Sequence, residues 1–206
     1  MVKANYKTDA TYKDIFLDLR FETVQACAQA EALCSSELTS LVWMDPAALV
    51  LKPPMAYVLS NNVRAAFRPV HIRNIGQLFG QPLDAYWQYL YEALSCPLPA
   101  FSVTSFVDGQ ELYPYFNSHS FSVDPRLGLM QQWKASFLAL IQDEDFQSQY
   151  CRDDLHKLFL FQAVLSILLS KTLTPSQLRI LPETYNYPYH LQQQISKLFL
   201  QFVVVP

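Results

Sequence analysis

The sequence predicts a single layered α/β domain, and three observations carry that prediction. At 206 residues the chain is the size of one hydrophobic core, since cores divide only beyond about 250 residues. Segments of helical periodicity alternate with short β-rich segments along its length, an order that packs helices on a sheet. Apolar residues make up 51% of the chain and charged residues 16%, against about 25% charged in an average domain, so the core is ample. The same low charge leaves apolar surface for a partner, a second copy in a homo-oligomer, or a further segment of the fold to cover.

The first long element is a helix from about Asp14 to Cys34, with Leu17, Phe21, Val24 and Ala28 on one face. The run Leu41 to Leu51 reads as a buried strand interrupted at Asp45-Pro46 and ended by Pro53-Pro54, because proline cannot supply the ladder donor. Ala65 to Val70 is a second strand. Leu83, Trp87, Leu90 and Leu94 fall at helical spacing, and Asp84 stands near the first turn, where a carboxylate favours the helix dipole. Phe101 to Val107 and Gln110 to Phe116 flank Asp108-Gly109, which predicts a hairpin with a type I′ turn. Ser120 to Val123 is a short strand. Met130, Trp133, Phe137 and Ile141 stripe a further helix, and the last long helix runs from about Asp153 to Ser170. Thr174-Pro175 reads as an N-cap with proline at the first helical position, and Leu178 to Leu181 as a closing strand.

Composition also excludes function classes. A formal charge of −3 with no cluster of Lys and Arg among aromatics offers no field for nucleic-acid phosphates. The four cysteines, Cys27, Cys34, Cys96 and Cys151, form no CxxC pair and fit reduced thiols better than zinc ligands or disulfides. No apolar run of signal-peptide type opens the chain, and Leu158 to Leu169 falls short of the ~20 residues that span a bilayer. A cytoplasmic protein without membrane partners is expected. Four glycines in the whole chain exclude a Gly-rich phosphate loop, and no nucleophile-elbow, zinc-protease or EF-hand pattern occurs.

Four polar segments remain. Trp43-Met44-Asp45-Pro46 sets an acid at the end of a strand, the edge of an open α/β sheet where ligands bind. Tyr115 to Phe121 reads YFNSHSF, Gln162 interrupts the stripe of Leu155, Leu158, Leu165 and Leu169, and Leu181 to Pro188 reads LPETYNYP. Taken without a family, Asp45 caps a turn, Asn117-Ser118 is an ordinary turn, and Gln162 is a buried amide that needs partners.

In this order the segments resemble the motifs of GT-A glycosyltransferases, enzymes that use nucleotide-diphosphate sugars. The resemblance spans about Phe21 to His190 and implies a GT-A-like mixed sheet flanked by helices, with the amino-terminal nucleotide-binding half short or missing, since about forty residues precede Asp45. It implies a nucleotide-diphosphate sugar as ligand, Asp45 as ligand of Mn²⁺ or Mg²⁺ against the diphosphate, and Asn117, Ser118, Gln162 and Asn186 lining the substrate pocket. The chemistry asks for hard oxygen ligands and a cation on the departing diphosphate.

The chain departs from the family where Ala47, His119 and Phe161 replace its second Asp, its Gly and its acid before the Gln. It closes with the apolar LFLQFVVVP, and His190 is the nearby histidine. Arg64, Arg68 and Arg73 are candidate phosphate receivers. These departures support a second expectation, a catalytically inert interaction or scaffold domain on the same fold.

Overall fold

The computed structural model describes residues 12–191 except 61 and 152, with side chains from residue 20 onward. The closing LFLQFVVVP and the Leu17 side chain lie outside the described residues. The fold is mixed α/β. Its helices are α1 (Tyr12–Leu33), α2 (Ala85–Ala93), α3 (Leu129–Gln142), α4 (Glu144–Gln149) and α5 (Asp154–Thr172). Its strands are β1 (Leu41–Met44), β2 (Ala65–Phe67), β3 (Val103–Thr104), β4 (Glu111–Leu112), β5 (Ser120–Val123) and β6 (Leu178–Ile180).

The main sheet runs β1-β5-β2-β6, and β3 pairs with β4 alone. Strand β5 is antiparallel to both β1 and β2, while β6 is parallel to β2. Strands β1, β2 and β6 therefore point the same way, and their carboxyl ends share one edge with the start of β5. Alternation decides the two faces. Phe121, Val123, Ala65 and Phe67 enter the core beneath the helices, where Phe67 stacks on Phe121 at 4.7 Å and Phe121 meets Trp133 of α3. Ala66 and Leu181 face a smaller core closed by Tyr57 and Leu59, and Tyr57 donates to Ser120 Oγ at 2.7 Å.

Helix α5 packs against α1, α2 and α3. Residues 160–169 are all buried, which is why the sequence there is apolar on every side rather than striped. Among the described residues it is the helix long and apolar enough to cross a bilayer, and 56% of its apolar stretch is buried inside the fold. Asp153 caps it by accepting from His156 N at 2.9 Å, and Asp84 caps α2 through Trp87 N at 2.9 Å.

Three local expectations are corrected. Strand β1 ends at Met44, because Asp45 turns the chain, and Leu49, Val50 and Leu51 are exposed instead of buried. The hairpin has no type I′ turn: Gly109 alone has positive φ (+61°), and Asp108 accepts from Ser105 Oγ and, at 2.8 Å, from Arg73 N. Four residues, 106–109, separate Ser105 from its partner Gln110, since a side chain bonded back to the loop stabilises a longer turn. Leu155, placed by periodicity on the buried face of α5, is exposed at its first turn.

Candidate functional site

The shared strand edge gathers polar residues from every strand of the main sheet. Asp45 follows β1, Arg68 follows β2, the segment Asn117-Ser118-His119 precedes β5, and Glu183 to Asn186 follow β6. Backbone bonds continue the sheet through them: Asp45 N donates to His119 O (2.7 Å), Asn117 N to Arg68 O (2.8 Å) and Leu181 N to Phe67 O (2.8 Å). This is the edge at which open α/β sheets bind ligands.

Asp45 is half-buried, and its Oδ1 accepts from Ala47 N at 2.8 Å, so Ala47 closes the turn through its backbone. Arg20 and His119 both feel the charge of Asp45. Among the described residues no group of three His, Cys, Asp or Glu converges as a metal cage. A single carboxylate still suits Mg²⁺, which is bound through one or two carboxylates together with substrate phosphates.

Asn117, Ser118 and Gln162 come together in one buried network. Gln162 is 2% exposed, and its Oε1 accepts from both Ser118 N and Ser118 Oγ at 3.3 Å. One turn further along α5, Ser166 Oγ accepts from Phe116 N at 2.9 Å and donates to Gln162 O at 2.8 Å. The Tyr115 hydroxyl is buried beside the Gln162 amide without a hydrogen bond of ordinary geometry. Asn117 Oδ1 takes His119 N (2.8 Å) and faces His119 Nδ1 (2.9 Å). His119 is not among the residues of positive φ, so its side chain is accommodated without backbone strain.

Asn186 stands apart from that network. It adopts φ +51°, a left-handed conformation that Asn tolerates, and its Nδ2 is buried without a partner. Neighbouring Tyr185 accepts from Ala56 N at 2.8 Å and packs edge-on against Tyr57, which fixes this loop over the small core.

Of the three candidate arginines only Arg68 belongs to this edge. Arg64 pairs with Asp124 at 2.9 Å, and Arg73 Nε donates to Gly76 O at 2.9 Å. Arg68 is 3% exposed, lies 4.6 Å over the Phe106 ring, and its Nε has no partner. Burial lowers its pKa and Glu183 opposes that shift. His71 is driven down to about 4, by burial first and then by Arg68, His119 and His190. His119 is lowered by burial and Arg20, with Asp45 acting the other way. Both imidazoles are therefore neutral at pH 7, and His190 is exposed at the rim.

Arg20, His71 and Glu183 were not singled out as site residues from the sequence. Arg20 carried no sequence signal, and the structure shows its guanidinium 4.8 Å over Phe161. Phe161, which stands where the resemblance expects an acid, is thus an aromatic seat for a cation. A cavity of about 420 Å³ lies elsewhere, between β3 and β6, lined by Pro69, Phe101, Val103, Phe116 and Ile180 among others. None of the charged residues above lines it, so its apolar wall is separate from the polar edge.

No protein-family model, curated protein or solved structure matches the chain.

Proposed function

We propose that the polar edge binds a nucleotide-diphosphate sugar, and that transfer of the sugar is the reaction such a site would serve. The observation that carries this reading is convergence. Segments around Asp45, Asn117 and Asn186, far apart in sequence, lie at the carboxyl ends of the parallel strands, and Gln162 of α5 bonds Ser118 beside them. Asp45 would hold Mn²⁺ or Mg²⁺ through its free oxygen, and the ion would neutralise charge on the diphosphate. Asn186 brings an unpaired amide donor, while Asn117, Ser118 and Gln162 build the wall that orients His119. Titration calorimetry with uridine and guanosine diphosphate-sugars in the presence of Mn²⁺ tests this reading. Saturable binding is expected, and no heat at millimolar ligand would sink it.

An inert interaction domain is the second reading, favoured by one surface. Leu33, Leu38, Val42, Leu49, Val50 and Leu51 are exposed around β1, whose outer edge has no strand partner among the described residues. An apolar open edge is a template for association. Sedimentation at rising protein concentration, with no nucleotide-sugar binding, is the result that reading expects.

A further inference from the structure

We infer that Arg68 is a phosphate anchor, taking an oxyanion of the ligand directly on its guanidinium at the carboxyl end of β2. The inference rests on the nucleotide-sugar reading only for the source of the phosphate. Arginine carries donors and no acceptor, and Arg68 Nε is buried with nothing to donate to. Among the described residues no carboxylate stands within ion-pair distance of it, and Glu183 reaches it only as a longer-range charge. A buried cation without a counterion is a costly arrangement that an incoming anion would relieve.

Two features prepare it for that role. The Phe106 ring at 4.6 Å holds the guanidinium plane, and the Arg68 carbonyl is pinned by Asn117 N, so the fork is oriented before a ligand arrives. Two neighbours in the same region also have unpaired buried nitrogens, His71 Nδ1 and Asn186 Nδ2. The amide nitrogen is a donor, and the imidazole becomes one in the appropriate tautomer. What this end of the site lacks is an acceptor with several oxygens, which describes phosphate. Arg64 and Arg73 already have protein partners, so of these three arginines the demand falls on Arg68; Arg20 Nε, seated on Phe161, is likewise buried without a partner.

The test uses the full chain in EDTA, titrated with sodium pyrophosphate, uridine diphosphate-glucose and citrate. Pyrophosphate should bind, and Arg68→Lys, which keeps the charge and loses the fork, should weaken it by about tenfold, as loss of a charge-assisted bond does. Because Arg68→Lys could unfold, the Arg68 Nε–H resonance of the parent is followed in the same titration. It should shift saturably with pyrophosphate. An unmoved resonance, equal affinity in a folded Arg68→Lys, or binding of citrate in preference to pyrophosphate would overturn the anchor. Pyrophosphate binding without uridine diphosphate-glucose binding would leave the anchor standing and remove support for the nucleotide-sugar reading. In a parallel titration with Mn²⁺ in place of EDTA, uridine diphosphate-glucose binding that is absent in EDTA and unaffected by Arg68→Lys would do the opposite.

Discussion

Gln162 lies within the buried stretch of α5, 2% exposed, with Ser118 against its side-chain oxygen. A lone amide in an apolar helix stripe signals a buried polar group that must be satisfied, and the structure supplies Ser118 as its partner. Replacing it by alanine leaves Ser118 N and Oγ without that acceptor. Gln162→Ala should therefore lose about 1–3 kcal/mol of stability, read from the urea midpoint at unchanged slope. Unchanged stability together with weakened uridine diphosphate-glucose binding would instead make the ligand its partner. The neighbouring residues were legible to different degrees. His119 is visible in the sequence as a histidine beside a turn, yet its bond to Asn117 depends on the loop geometry. Arg20 was hidden because a long cationic side chain on a helix usually reaches solvent, whereas here its head rests on Phe161.

At the scale of elements, helices were read well because each apolar stripe repeats over several turns. Trp133 and Phe137 of α3 are buried as their spacing requires. The start of α3 illustrates what periodicity misses. Gly128 occupies the N-cap in a left-handed conformation and has no side chain to offer, so the free N–H groups are capped from another helix. Glu31 of α1, 6% exposed, accepts from Met130 N at 3.0 Å and Gln131 N at 2.9 Å. Glu31→Ala should cost about 1.5–3 kcal/mol, the range for bonds to a charged group, and Glu31→Gln should recover part of it. A thermal melt of Glu31→Ala indistinguishable from the parent would contradict this cap. Strands were harder to delimit, since an apolar run continues past Asp45 while the backbone does not.

Across the whole molecule, strand order was the feature least visible in the sequence. Strand β5 inserts between β1 and β2, and β6 joins β2 from more than a hundred residues away. Such pairings depend on long-range contacts rather than on local propensity. Yet that order creates the candidate site, because it brings Asp45, Arg68, His119 and Asn186 to one edge. The open outer edge of β1 follows from the same arrangement and gives the interaction-domain reading its surface. The cavity beside β3 provides a built-in comparison, being concave and apolar but without charged groups. The most direct measurement is an amide NMR titration of the full chain with uridine diphosphate-glucose and Mg²⁺. Saturable shifts confined to residues 44–47, 68–71, 117–119 and 183–186 are predicted. Shifts centred on Phe101 to Thr104 and Leu178 to Ile180, or none at millimolar ligand, would contradict the placement of the site.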